Sequence, residues 1–147
     1  MTKTYQGEGI GFDYPHDWEI SEDHDDSLVC ITVSDGGTAF WTITLLFDRP
    51  QPKLSLQETI ASFEDYDDVE TEHLEAEIAG QTALACDVRF ACYDLLNSAF
   101  IRAFRTGRFT AVVLFQATDD ELSIQEPLFA AICQSLDCHR DGAIQIG

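Results

Sequence analysis

The stretch GIGFDYPHDWEI, residues Gly9–Ile20, decides the fold because it joins a short alternating strand to a sharp corner. Phe12 and Tyr14 are two residues apart and therefore face the same side of a strand. Pro15 has no amide hydrogen to give to a sheet, so it ends this strand, and Trp18 begins a second strand nearby. We expect the three aromatic side chains to pack in the core at this corner instead of forming a platform for a flat ligand.

Strand patterns continue along the chain in pairs. SLVCITVS and TAFWTITLLF alternate in polarity on either side of the turn residues DGG, which predicts an antiparallel hairpin. VETEHLEAEIAG and TALACDVRF predict a second pair that turns at Gly80. NSAFIRAFRTGRFTAVVLFQA predicts a third, turning at Thr106 and Gly107. Its second strand is apolar on both faces, which is typical of a strand in the middle of a covered sheet.

One segment, LSLQETIASFEDY, changes to helical spacing. Leu56, Ile60 and Phe63 fall on one side of such a helix. Ser55 and Glu58 have the three-residue spacing of a capping box, which predicts that the helix begins at Ser55.

A second helix is predicted over SIQEPLFAAICQSL. Ser123 and Glu126 have the spacing of a capping box, and Pro127 would then lie in the first turn, where a missing amide is tolerated. The apolar stripe of this helix recurs at four-residue steps: Ile124, Leu128, Ile132 and Leu136.

Strands, helix, strands and helix follow one another, and this order predicts an α+β fold. We expect an α/β/α sandwich with a mainly antiparallel sheet flanked by helices. We expect the whole chain, residues 1–147, to form one domain of ordinary size, with a core over about 7–136 and a C-terminal tail at 137–147. In that tail, Ile144 and Ile146 could add an edge contact.

The chain is strongly acidic, with 27 Asp and Glu against 8 Lys and Arg and a formal net charge of −19. Such a surface repels nucleic acid and anionic membranes, so neither is an expected partner. The N-terminus lacks the basic start and apolar run of a signal peptide, which predicts a cytoplasmic protein. Charge repulsion opposes pairing of edge strands, so we expect a monomer or a weak dimer.

The five cysteines are odd in number and contain no Cys-x-x-Cys pair. A disulfide framework is therefore not expected, and we interpret them as reduced cysteines within apolar segments.

The motifs together resemble PsbP-like domains over about residues 7–136. GIGFDYPHDWEI is similar to the opening strand and Tyr-Pro corner of these domains, EIAGQTALACDVRF to their glycine-centred hairpin, and FRTGRFTAVVLFQA to their aromatic hairpin. The family includes photosystem II extrinsic subunits, a nuclear factor that binds the Ran GTPase, bacterial lipoproteins and secretion-associated chaperones. The resemblance implies an α/β/α sandwich, a binding or assembly role and no common catalytic machinery.

The densest polar cluster is SEDHDD, with Glu22, Asp23, His24, Asp25 and Asp26 in one loop. Oxygen ligands this close could hold a divalent cation, but their spacing is not that of a calcium loop, so we interpret the cluster as a solvated acidic turn. No catalytic or phosphate-binding motif is present in the sequence. We therefore predict no catalytic residues, no metal site and no cofactor.

Three arginines, Arg102, Arg105 and Arg108, concentrate at the third hairpin of an otherwise acidic chain. Because arginine binds carboxylates through two parallel hydrogen bonds, these residues could receive an acidic partner or ligand. Alternatively, they neutralise the protein's own acidic loops. Asp87 and Arg89 are expected in the same surface network.

The first functional hypothesis is a non-catalytic protein-binding, assembly or chaperone-like module whose acidic surface meets a basic protein partner. The alternative is a small-molecule or metal-binding enzyme whose site no sequence motif reveals.

Overall fold

The computed structural model describes residues 1–138, so the predicted edge contact of Ile144 and Ile146 lies outside the described residues. Two antiparallel sheets and two helices are formed. In chain order the elements are β1 Thr2–Gly7, β2 Ile10–Pro15, β3 Glu19–His24, β4 Leu28–Ser34, β5 Phe40–Leu46, α1 Pro52–Ala61, β6 Asp67–Ile78, β7 Gln81–Cys92, β8 Leu95–Arg105, β9 Thr110–Thr118, α2 Asp119–Ser135 and β10 Asp137–Cys138.

The larger sheet has seven antiparallel strands in the order β3-β4-β5-β9-β8-β7-β6. All three predicted hairpins are present in it, as β4–β5, β6–β7 and β8–β9. The apolar strand β9 lies in the middle, as its sequence predicts: Val112 and Val113 are both buried but belong to opposite faces of the sheet.

Each face of this sheet is covered by one helix. On one face, α2 packs together with the smaller sheet β1-β2-β10 over buried residues such as Ile31, Trp41 and Val113. On the other face, α1 covers β7, β8 and β9 through Leu56. The fold is therefore α+β with a mainly antiparallel sheet between helices, as predicted, and the small sheet is an addition to one layer.

The opening corner packs into the core, as the sequence indicates. Phe12 and Tyr14 are buried on the same side of β2, and the Phe12 ring lies 4.9 Å from that of Trp41. Trp18 is buried just before β3 and meets the edge of Phe129 in α2 at 6.2 Å. The corner thus joins the small sheet, the large sheet and α2.

The predicted start of α1 is wrong. The helix begins at Pro52 with Gln51 as N-cap, and Ser55 is a buried residue within the helix. Proline at the first helical position has a suitable φ and lacks only an amide that would have no partner there, so it begins the helix without a capping box.

The start of α2 is also earlier than predicted. The helix begins at Asp119, directly after Thr118, whose hydroxyl donates to Glu121 Oε1 (3.0 Å). Pro127 therefore lies inside the helix and not in its first turn. Ile124, predicted to be buried, is 69% exposed, because the helix packs through Phe129 and its neighbours.

The chain pairs with the small sheet beyond residue 136. Asp137 and Cys138 form β10 against Gly11 and Ile10 of β2, so the end of α2 is held beside the opening strand. Neither helix of residues 1–138 has the length and apolar composition needed to cross a bilayer.

Candidate binding surfaces

The edge strand β6 is the most acidic element of the described chain. It is the last strand in the sheet order, so one row of its backbone groups faces away from β7. Six of its twelve residues are carboxylates, and all six are exposed: Asp67, Asp68, Glu70, Glu72, Glu75 and Glu77. We call this surface the acidic edge.

The carboxylates of the acidic edge lie on both faces of the sheet. Glu70 pairs with Arg89 in the register, on the face that α2 covers in part, while Glu77 faces the other side and accepts a hydrogen bond from the Thr82 hydroxyl (2.6 Å). Any strand added along this edge would therefore meet negative charge on both of its own faces.

The opposite edge strand, β3, corrects the interpretation of SEDHDD as one loop. Glu22, Asp23 and His24 belong to the strand, so Glu22 and His24 share one face while Asp23 points to the other. Asp25 begins the following turn, where its Oδ1 accepts a hydrogen bond from the Ser27 amide (2.8 Å). This hydrogen bond lowers the pKa of Asp25. The segment is an edge strand and a turn, and not a ligand loop.

Glu8, Glu22 and His24 nevertheless bring one possible metal ligand each to within 4.8 Å of one another. All three are exposed, and His24 Nε2 already lies 2.6 Å from Glu22 Oε2. Tyr5 Oη donates to Glu22 Oε1 (3.1 Å), and burial together with this hydrogen bond raises the pKa of Tyr5 to about 12. Because this group bonds within itself and is open to water, it is not a built metal centre.

A cavity of about 660 Å³ lies where four connections meet at one end of the sandwich. These are the loop after β5, the β6–β7 turn, the β8–β9 turn and the start of β10. We call it the arginine cleft after Arg49, Arg105 and Arg108. Its other described lining residues are Ala79, Gly80, Gln81, Thr106, Gly107, Phe109, Leu136, Asp137 and Cys138.

Backbone carbonyls hold two of these arginines in place. Arg49 Nε donates to the Thr106 carbonyl oxygen (2.9 Å), and Arg105 Nη1 donates to the Arg49 carbonyl oxygen (3.2 Å). The Arg108 guanidinium lies against Gly9, where a Cβ would overlap it. Carbonyl acceptors carry no net charge, so these bonds orient the guanidinium groups and leave their positive charge in place.

The backbone around the cleft is unusual. Arg49 and Ala79 have φ of 55° and 53°, in the left-handed region that non-glycine residues rarely adopt, and Gly80 has φ of 75°. Each such non-glycine residue costs about 1–3 kcal/mol and persists only where its surroundings hold it in place, and such residues cluster at binding sites. Here the Arg49 conformation places both its carbonyl and its side chain against the β8–β9 hairpin.

Arg102, predicted to lie beside Arg105 and Arg108, lies elsewhere. Its Nη1 donates to Asp87 Oδ1 (2.9 Å), its side chain is only 14% exposed, and its guanidinium lies 5.7 Å from the centre of the Phe115 ring. Arg89 forms a separate ion pair with Asp119 (2.7 Å), so it does not share a network with Asp87. The structure thus divides the predicted arginine group.

The sequence prediction also missed Arg49, which is 56 residues from Arg105. No local signal connects them. The separation of Arg102 from Arg105 could have been predicted, however, because residues three apart on a strand face opposite sides of the sheet.

The thiols and imidazoles of residues 1–138 are not arranged as an activated pair. Burial raises the pKa of Cys86 and of Cys133, and it raises the pKa of Cys138 to about 12, so these thiols are protonated at neutral pH. His73 is the cross-strand neighbour of Cys86, but that thiol is fully buried. The His16 Nδ1 atom lies 3.3 Å from the Met1 carbonyl oxygen.

Comparison with known proteins identifies the fold. No protein-family model matches the sequence, and a search of curated proteins found no match. Among solved structures, cyanobacterial PsbP (CyanoP) of Synechocystis sp. PCC 6803 matches with a TM-score of 0.62 and 12% identity, over 94% of this chain and 92% of that one. LpqN, involved in cell envelope biogenesis of Mycobacterium tuberculosis, matches with a TM-score of 0.53 and 12% identity, over 93% and 90%.

A third similar structure is a protein of unknown function, PA94, from Pseudomonas aeruginosa, with a TM-score of 0.53 and 13% identity over 88% of this chain and 91% of that one. These likenesses extend over nearly the full length of both chains. The fold is PsbP-like, as the sequence motifs indicated.

Proposed function

We propose that the protein is a non-catalytic module that binds a basic, extended segment of a partner protein along the acidic edge. The observation that carries this proposal is the position of β6: a twelve-residue strand with exposed carboxylates stands at the open edge of the large sheet. An extended segment adds to such an edge through backbone hydrogen bonds, while side chains of opposite charge select it.

The charge of β6 determines which segments are accepted. A second copy of β6 would place carboxylates opposite carboxylates, which is unfavourable for directly opposed pairs. A segment with Lys or Arg on both faces would instead pair with Glu70 and Glu72 on one side and with Glu75 and Glu77 on the other. The edge therefore discourages self-association and favours a basic partner.

Two further observations agree with a non-catalytic module in the cytoplasm. The raised pKa values of Cys86, Cys133 and Cys138 make these thiols weak nucleophiles, which disfavours thiol catalysis. All five cysteines are free, which suits the reducing cytoplasm.

A fluorescently labelled peptide of repeating Lys-Lys-Val-Val, as long as β6, tests this proposal by anisotropy titration at several salt concentrations, because this repeat places lysine on both faces of an extended strand. We expect binding that weakens as salt rises, with Glu75→Lys/Glu77→Lys weakening it at least about tenfold, because the peptide would then meet like charge. The matched control is Glu19→Lys/Asp23→Lys, which changes the net charge equally on the exposed strand β3.

The outcomes separate a site from general attraction. Loss of affinity confined to the β6 variant supports strand addition at the acidic edge. Equal loss in both variants would mean that only the overall charge matters, and absence of binding at low salt would also overturn the proposal. The midpoint of thermal unfolding of each variant establishes that it is folded.

A further inference from the structure

We infer that the arginine cleft binds a small organic anion that carries two or more carboxylate or phosphate groups. This site is separate from the acidic edge and does not depend on the proposed function. It rests on the convergence of Arg49, Arg105 and Arg108 on one cavity, on the way these side chains are held, and on the charge of the surrounding protein.

The arginines keep most of their hydrogen-bonding capacity. A guanidinium group has five N–H donors. In the hydrogen bonds of the described structure, Arg49 uses its Nε toward the Thr106 carbonyl, and Arg105 uses one terminal nitrogen toward the Arg49 carbonyl. The two bonds link these side chains to each other's loops, so terminal N–H groups are held in position for a bidentate acceptor.

Arg108 completes the site from the other side of the turn. Thr106 Oγ1 accepts the Arg108 amide (3.1 Å) and the Phe109 amide (3.2 Å), which fixes the hairpin turn that carries it. Gly9 provides the space into which the guanidinium fits. Three arginine residues from two loops therefore line one cavity, and a ligand with more than one anionic group would engage them together.

The charge of the protein limits the size of the ligand. Three of its eight Lys and Arg residues line this cleft, while the net charge of the chain is −19. Among the described lining residues, Asp137 is the single carboxylate. A concave site concentrates the local positive potential, but a large polyanion would also meet the acidic surface around it. A small anion reaches the arginines without that cost.

The cavity also has room for an organic body. Its volume of about 660 Å³ falls within the usual range for small-molecule sites, roughly 300–1,000 Å³. Phe109, Leu136 and Ala79 provide apolar wall, and the Phe109 side chain is buried. The ligand class is therefore a small polycarboxylate or an organic phosphate.

Isothermal titration calorimetry of the full chain with citrate and with pyrophosphate, at constant ionic strength set by chloride, tests this inference. We expect saturable binding of at least one probe at millimolar concentration or below. Arg105→Gln/Arg108→Gln should weaken it by about tenfold or more, because each substitution removes a charged bidentate donor. In parallel, the backbone amide NMR signals of Thr106, Gly107 and Arg108 should shift on titration.

The matched control is Lys53→Gln/Arg89→Gln, which removes two exposed cationic groups outside the cleft. Unchanged affinity in this control, with loss in the cleft variant, supports the site, and the preferred probe identifies carboxylate or phosphate as the recognised group. Equal weakening in both variants would overturn the inference, as would the absence of saturable binding with both probes. Neither result depends on β6.

Discussion

The acidic edge and the arginine cleft differ in how their charges are placed. The carboxylates of the edge follow one another within twelve residues and point into water on both faces of a strand. The arginines of the cleft come from the loop after β5 and from the β8–β9 hairpin, and two of them bond to backbone carbonyls. Contiguous charge on an open strand suits a long partner, whereas convergent charge held by loops suits a small ligand of defined geometry.

The largest expected effect concerns Arg102, which lies outside the arginine cleft. Arg102→Met leaves Asp87, which is only 27% exposed, without its ion-pair partner, and we expect a loss of about 2–3 kcal/mol in the free energy of unfolding. Urea denaturation measures this loss, and adding Asp87→Asn should recover part of it.

Arg89→Met is the control for this prediction, because the Arg89 side chain is 62% exposed and its pair with Asp119 contributes about 0–1 kcal/mol. Anion affinity should be unchanged in Arg102→Met. If Arg102→Met weakened anion binding as strongly as Arg105→Gln/Arg108→Gln, Arg102 would belong to the cleft after all.

We expect Gly9→Ala to have a smaller effect on stability but a selective effect on anion binding. Gly9 has φ of 85° and Gly36 has φ of 88°, so alanine at either position is strained by about 1–2 kcal/mol. A Cβ at Gly9 would also overlap the Arg108 guanidinium, whereas one at Gly36 would meet nothing within 4 Å.

Gly9→Ala and Gly36→Ala should therefore lower the thermal midpoint similarly, while only Gly9→Ala weakens anion binding in calorimetry. Equal anion affinity in the two variants would contradict the role assigned to Arg108. Neither substitution should affect peptide binding at the acidic edge.

The smallest expected effect is a pH dependence from Tyr5 in β1, which bonds to Glu22 of strand β3. Burial, and then the hydrogen bond to Glu22, raise the pKa of Tyr5 from 10.0 to about 12, so the folded state favours the neutral phenol. This contribution to stability is complete below pH 10 and is lost as the pH rises from 10 through 12.

Tyr5→Phe removes this titration. The urea midpoint of the native protein should therefore fall more steeply between pH 10 and pH 12 than that of Tyr5→Phe, after both are referred to neutral pH. Parallel curves would show that the Tyr5–Glu22 contact contributes no alkaline dependence.

Strands were predictable where their burial alternates. In β4 and β5, Val29, Ile31 and Val33 are buried opposite Leu45, Ile43 and Trp41, and the two-residue period of these apolar side chains is present in the sequence itself. The helix starts were not predicted, because a capping-box spacing occurs at Ser55 and Ser123 while the helices begin at Pro52 and Asp119. Short capping motifs are therefore weaker signals than a sustained period.

The two candidate surfaces also differ in how far the sequence predicts them. The acidic edge is readable from DDVETEHLEAEI once the segment is recognised as a strand, although its position at the edge depends on the order of strands in the sheet. Arg105 and Arg108, predicted together, both line the cleft, whereas Arg102 pairs with Asp87 and Arg49 was not among the predicted residues.

By itself, the sequence determined the strands, the central position of β9 and the buried corner at Gly9–Ile20. Local side-chain periodicity and proline geometry are enough for these, because they act over a few neighbouring residues. Only the tertiary structure brought Arg49 to Arg105 and Arg108. That convergence depends on the packing of β5, β9 and β8 side by side, so that loops far apart in the chain meet at one end of the sheet.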